Sequence, residues 1–303
     1  MKLYAALVGL SIIWGMSFLF IKILTSYTGA WEIVFLRCSF GAIPLYAVIV
    51  FNIRRLKLSR LPWKPLVIVG LMNAAIPWTL IALSETTIRS STASILNATT
   101  PIWTSVVGFA LFSVRLSLKQ WVGIFVGFVG ILLLMNFDIT DLLGDDFVGI
   151  GTMVLASLCY GFASQFTKRF LSGVPVLVIA AGTLTVGMIV SAAATFAANG
   201  FSYDVFTAWP PAAAAVGLGV FGSGVAYLLF FFMVQQGSAE FATYVTYLVP
   251  VTAMFWGWWL LDEPLSANLI AGLLLIFAGV YLSGKRNNRK DSQNEAQQTA
   301  AYR

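Results

Sequence analysis

Residues 93–130 read ASILNATTPIWTSVVGFALFSVRLSLKQWVGIFVGFVG, and residues 242–279 read ATYVTYLVPVTAMFWGWWLLDEPLSANLIAGLLLIFAG. At a shift of 149 positions Ala93 meets Ala242, Pro101 meets Pro250, and Gly108, Gly123 and Gly130 meet Gly257, Gly272 and Gly279. Leu116-Ser117 likewise meets Leu265-Ser266. An apolar composition matches leucine with leucine, but it does not bring a proline and three glycines into register. The chain therefore carries an internal duplication. It extends backward, with Gly70 on Gly219, Leu80 on Leu229 and Trp78 on Tyr227 at the same shift. The N-terminal run matches at a shift of 146: Ser11 with Ser157, Trp14 with Tyr160, Gly15 with Gly161 and Lys22 with Lys168.

Of the 303 residues, 59% are hydrophobic and 10% charged. A soluble domain carries about 25% charged residues. A bilayer crossing needs about 20 apolar residues, and ten such runs are read near 3–24, 31–51, 65–84, 90–112, 119–136, 147–169, 175–197, 211–235, 238–260 and 266–283. They lack period-2 alternation, so they predict helices instead of barrel strands. The run after Lys2 is too long for a secretory signal and reads as the first span. The polar tail, residues 285–303, reads as disordered. Cys38 and Cys159 lie within spans and read as packing residues. The absence of histidine removes histidine relays, histidine metal ligands and a Ser-His-Asp triad together. No cofactor or metal is expected.

Charge gives an orientation. With the N-terminus in the cytoplasm, 15 of the 18 Lys and Arg residues fall on the inner side. Only Lys22 and Arg89 lie at outer ends, and Arg37 lies within a span, while Glu32, Glu85, Asp138–Asp146, Asp204 and Asp262-Glu263 face outward. Both termini are then cytoplasmic. The net charge of +6 serves this asymmetry and not nucleic-acid binding. Five spans per half is an odd number, so the halves enter the membrane from opposite sides. The expected fold is an all-α membrane protein with ten transmembrane helices, arranged as two inverted five-helix repeats (1–136 and 147–284) around a central cavity.

At these residues the chain resembles the drug/metabolite transporter superfamily, in its ten-span EamA-like branch. The marks are Trp14-Gly15 with Ser17 and Lys22, then Arg37, and then Pro101 and Pro250, each followed by a glycine-spaced span. Asp262-Glu263-Pro264 resembles the short acidic turn that joins the last two spans, whereas Val114-Arg115 holds that place in the first half. The resemblance implies a multi-pass carrier of small metabolites in the cell membrane, often an exporter of amino acids or related compounds.

A polar group inside a span is costly and needs a reason. Asn73 and Asn97 are read as substrate contacts, or else as interhelical hydrogen bonds; Gln165 is a weaker case of the same choice. Trp14, Trp78, Tyr160, Tyr227 and Tyr244 are read as aromatic walls of the substrate site. Pro101 and Pro250 each remove a backbone donor and are read as gating kinks. Arg37 needs a counter-ion, and Glu85 is assigned to it, with Glu32 as the alternative; a substrate carboxylate is the sharper reading. Gly123 and Gly127 form G-x-x-x-G, for intramolecular packing or for a dimer face. The cavity is expected between the first, third and fourth spans and the sixth, eighth and ninth, with the fifth and tenth at the edge.

The function read from all this is secondary transport of a small organic metabolite by alternating access. A facilitative pore and a multidrug or cation carrier are the alternatives. An intramembrane enzyme is disfavoured, since no nucleophile–base pair or mid-span acid pair is present. The expected partners are a small-molecule substrate and the lipid bilayer, with the chain acting as a monomer or a dimer.

Overall fold

The computed structural model describes residues 2–52, 61–112, 116–134, 145–171, 173–198, 200–236 and 245–284. Apolar segments with no water to bond satisfy their own N–H and C=O groups as helix, and the described residues hold helices and no strand. In chain order these are α1 (Lys2–Leu24), α2 (Ala30–Asn52), α3 (Trp63–Thr87), α4 (Ser90–Phe112), α5 (Leu118–Leu134), α6 (Asp145–Phe170), α7 (Val176–Ala198), α8 (209–236), α9 (Val245–Leu261) and α10 (Ala267–Gly284). Seven of them, α1–α4 and α6–α8, are long and apolar enough to cross a membrane, while α5, α9 and α10 contain shorter apolar stretches. Large apolar side chains such as Phe51, Phe125, Phe196, Trp258 and Leu274 are exposed. That is the surface of a protein that meets hydrocarbon.

Prolines and irregular turns divide the helices. Pro210 and Pro211 open α8 in its first turn, where no donor is required. α3 contains a π-turn at Leu71–Ala75, and α8 contains one at Gly217–Val225. Shifted by 149, the first falls within the second. π-Turns leave backbone carbonyls without their usual helical partner and concentrate at functional sites. α4 breaks at Ala98–Thr99, just before Pro101. α9 runs through Pro250 without a break.

Glycines set where helices touch. A methyl on Gly15 of α1 would come within 2.8 Å of the Ala253 amide nitrogen of α9. One on Gly161 of α6 would come within 2.9 Å of the Thr104 nitrogen of α4. By the sequence registers these are equivalent contacts. So are Gly70 on Val186 and Gly219 on Phe40. Between α5 and α10, Gly279 lies on the Gly123 carbonyl and Gly127 nitrogen, and Gly130 on the Gly272 carbonyl and Ile276 nitrogen. The two helices therefore run antiparallel. The Gly123–Gly127 motif is used within the chain, which resolves the choice the sequence leaves open.

One end of the bundle, called here the glutamate end, gathers several termini. Lys22 closes the C-terminus of α3, donating to the carbonyls of Glu85 (2.5 Å) and Ile88 (2.8 Å). The sequence places this lysine at the outer end of its span, and there its charge caps a helix C-terminus. Ser84 donates to the Gly149 carbonyl near the start of α6 (2.6 Å). At the opposite end Leu66, Val69 and Leu171 form a separate apolar cluster.

Candidate functional site

α2 carries Arg37 two turns in from its start, and burial of a cation there demands partners. Arg37 is only 8% exposed. Its guanidinium carbon lies 3.8 Å from the centre of the Trp78 ring on α3, a cation–π contact in a desolvated setting. Its Nε donates to the Ser223 hydroxyl at 2.9 Å, and a terminal nitrogen lies 3.5 Å from the Gly222 carbonyl. Both acceptors belong to the π-turn of α8. Tyr160 of α6 and Tyr227 of α8 lie within electrostatic reach of the guanidinium, and the Trp78 indole N–H is turned to the Tyr160 hydroxyl. Both tyrosines keep accessible surface although they sit beside a buried cation. Trp78, Tyr160 and Tyr227, three of the sequence-predicted wall residues, thus converge on Arg37. α2 was missing from the expected lining and supplies its charge.

The expected Arg37–Glu85 ion pair is not formed as a contact. Glu85 is fully buried, and neither carboxylate oxygen has a hydrogen-bond partner among the described residues. Arg37 still lies within electrostatic reach of it. The reason is geometric: Trp78 and Glu85 share a face of α3 seven residues apart, about 10 Å along the axis, and Arg37 is held at the Trp78 level. Glu32, the alternative counter-ion, accepts from the Ser202 amide (3.3 Å).

The remaining candidates are spread more widely. Trp14 packs on Phe230, with ring centres 5.9 Å apart. Asn73 is half-buried within the π-turn of α3. Asn97 ends the first segment of α4, and its buried Oδ1 has no partner among the described residues. Asn73-Ala-Ala-Ile-Pro77 and Asn97-Ala-Thr-Thr-Pro101 repeat one pattern, in which proline withdraws the donor a regular helix would send to the asparagine carbonyl. At Asn97 the Thr100 hydroxyl donates to that carbonyl at 2.6 Å. This pattern is legible in the sequence. Gln165 donates to the Thr104 carbonyl at 3.3 Å, the interhelical role. Pro101 is half-buried and Pro250 buried. Tyr244 lies outside the described residues.

Sequence reasoning missed a second polar cluster. Asp262 adopts a left-handed backbone (φ 52°), and the Glu263 amide donates to the Gly257 carbonyl at 3.1 Å, closing α9. This turn aims Glu263 at the start of α4. One carboxylate oxygen accepts from the Ser90 amide and hydroxyl, both at 2.9 Å; the other accepts from the Ser91 amide (3.1 Å) and hydroxyl. A carboxylate at a helix N-terminus meets both the dipole and the free donors. Beside it an open cleft of about 470 Å³ is lined by Lys22, Tyr27, Arg89 and Glu263. A larger groove of about 600 Å³ between α1 and α8 has an apolar lining and lacks the chemistry to orient a polar substrate.

A bundle of apolar helices with an arginine buried among aromatics defines a multi-pass membrane protein with an internal polar centre. The chain belongs to the EamA-like transporter family, which matches residues 1–136 and 147–284. It is 22% identical over 289 residues to the uncharacterized transporter YoaV of Bacillus subtilis, covering 93% of this chain and 96% of that one. It is 26% identical to the uncharacterized inner membrane transporter YedA of Escherichia coli K12, covering 93% and 92%. An uncharacterized transporter of Archaeoglobus fulgidus is 23% identical, covering 89% and 94%. A solved crystal structure superposes with a TM-score of 0.66 at 17% identity, covering 92% of this chain and 95% of that chain. That likeness concerns the fold alone.

Proposed function

We propose that the chain is a secondary carrier that moves a small organic metabolite, an amino acid or related compound, out of the cell by alternating access. The reading takes α1–α10 as ten crossings in two inverted repeats, residues 1–136 and 147–284, with 285–303 as a cytoplasmic tail. Both termini face the cytoplasm of a cell or inner membrane. What supports the inversion is where helices meet. α1 ends near the start of α6, since both abut the end of α3. The start of α4 meets the turn after α9, and α5 crosses α10 antiparallel on equivalent glycines.

The observation that carries the functional reading is the Arg37 centre. Arg37 and Trp78 come from the first half, and Tyr160, Ser223 and Tyr227 from the second. A guanidinium offers paired donors to a carboxylate, and the aromatic walls suit a planar or apolar remainder. A site built from both halves is one that rocking of the halves opens to either side. The test is counterflow in proteoliposomes across amino acids, purines and cationic drugs. Expected is exchange of a carboxylate-bearing compound that is lost in Arg37→Ala and Trp78→Ala. Exchange of only cationic compounds, or exchange insensitive to both substitutions, would overturn the reading.

A further inference from the structure

Glu85 has no part in the centre as described, yet it is fully buried, and neither carboxylate oxygen has a partner among the described residues. A charge in that position is unfavourable unless a cation closes on it; a neutral carboxyl is far less so. Cations stand on two sides. Lys22 of α1 is bonded to the Glu85 backbone carbonyl, and Arg37 of α2 sits two turns along the same face of α3. Glu263 approaches from the turn before α10, with its oxygens occupied by Ser90 and Ser91 of α4. α6 presents the Gly149 carbonyl, taken by Ser84. Arg89 lines the cleft beside Lys22 and Glu263, and that cleft opens to solvent.

We propose that Glu85 is the proton-binding residue of the carrier and exchanges Arg37 with the substrate. Arg37 rests on Trp78 and Ser223, and this is assigned as the form in which Glu85 holds a proton and Arg37 is available to an anion. When the proton leaves through the cleft past Glu263 and Lys22, the Glu85 carboxylate draws Arg37 off Trp78 and fills the place of the substrate's negative charge. One O–H bond breaks, one proton passes to water, and no other bond changes. Substrate anion and ionised Glu85 thus compete for one guanidinium, which links occupancy of the centre to the proton concentration at the glutamate end. The proposal rests on the carrier reading above.

The test needs no substrate. Infrared titration of the purified full chain in detergent micelles is compared between wild type and Glu85→Gln, with Glu32→Gln as control. The wild-type minus Glu85→Gln difference is expected to contain one carboxylic-acid band at pH 7 that vanishes at alkaline pH; Glu32→Gln retains it. In a Cys38→Ala background, the rate at which N-ethylmaleimide labels Cys159, the neighbour of Tyr160, divided by the rate in the same background with Glu85→Gln at the same pH, should change at least threefold with the same midpoint, the ratio cancelling the thiolate dependence common to both. No band at pH 7 makes Glu85 a fixed counter-ion and overturns the proposal. A band without the change in Cys159 labelling makes it a buried structural acid and also overturns it. If Glu85→Gln does not fold, Lys22→Gln replaces it: loss of the nearby ammonium should tighten proton binding at least tenfold, and an unmoved midpoint refutes the proposal. Absence of any counterflow would sink the carrier reading and leave these titrations standing.

Discussion

Glu263 ties the turn between α9 and α10 to the first turn of α4, across the two halves of the chain. Glu263→Gln keeps the size of the side chain and one oxygen but turns the other acceptor into a donor. The serine hydroxyl facing the new amide can rotate to accept from it. The backbone N–H beside it cannot, and it is left unpaired in a buried place at a cost of about 1–2 kcal/mol. Loss of the negative charge at the helix start removes a further ~0.5–1 kcal/mol. The expected loss is about 1.5–3 kcal/mol, or a fall of about 3–12 °C in melting temperature at roughly 2–4 °C per kcal/mol. Thermal unfolding in detergent followed by size-exclusion chromatography measures it. The tie also packs the turn after α9 over the first turn of α4. A cysteine at Ser94, buried one turn below Ser91, should therefore react faster with a membrane-impermeant maleimide in Glu263→Gln than in the parent. A melting temperature within about 1 °C of the parent, with Ser94→Cys equally unreactive in both, would refute the reasoning.

Gly15→Val and Gly161→Val should each reduce folded protein several-fold by chromatography, because each side chain would enter the backbone of the partner helix; Gly9→Ala and Gly151→Ala, which meet nothing within 4 Å, should leave the yield unchanged. Pro101→Ala restores a donor where α4 is broken, whereas Pro250→Ala acts in a helix that is already continuous. Counterflow per unit of folded protein should therefore fall further in Pro101→Ala, and equal effects would show that the break has no part in gating. Single cysteines at positions 138–146 should react with an impermeant thiol reagent in intact cells; labelling only after lysis would reverse the assigned orientation.

Helix positions were legible because membrane spans announce themselves by length and composition, and the proline–glycine register announced the duplication. Trp78, Tyr160 and Tyr227 stood out for the same reason: all three align with aromatics in the other half, Tyr160 with Trp14 and Trp78 with Tyr227. What the sequence withheld was azimuth. Arg37 and Glu85 were paired by depth alone, but a side chain's partner depends on which way its helix is turned, and Trp78 and Ser223 stand nearer. The Glu263–Ser90 tie joins residues 173 apart, and no local pattern announces a bond between a turn and a distant helix start. The π-turns were likewise hidden, since glycine at Gly217, Gly219, Gly222 and Gly224 reads as close packing before it reads as a change of helical pitch.

The seam between α5 and α10 has a consequence for the history of the chain. Gly123 meets Gly279 and Gly130 meets Gly272 through matching backbone atoms, so the two contacts are one contact counted twice. A polypeptide of half the length would already possess both faces of this seam, and two such polypeptides inserted in opposite senses would seal it with no new residue. Fusion of the genes would then have added a tether, not an interface. Asymmetries such as the single Arg37 and the single acidic turn at Glu263 are differences that only a fused chain can accumulate, because in a pair of identical subunits every change is made on both sides at once.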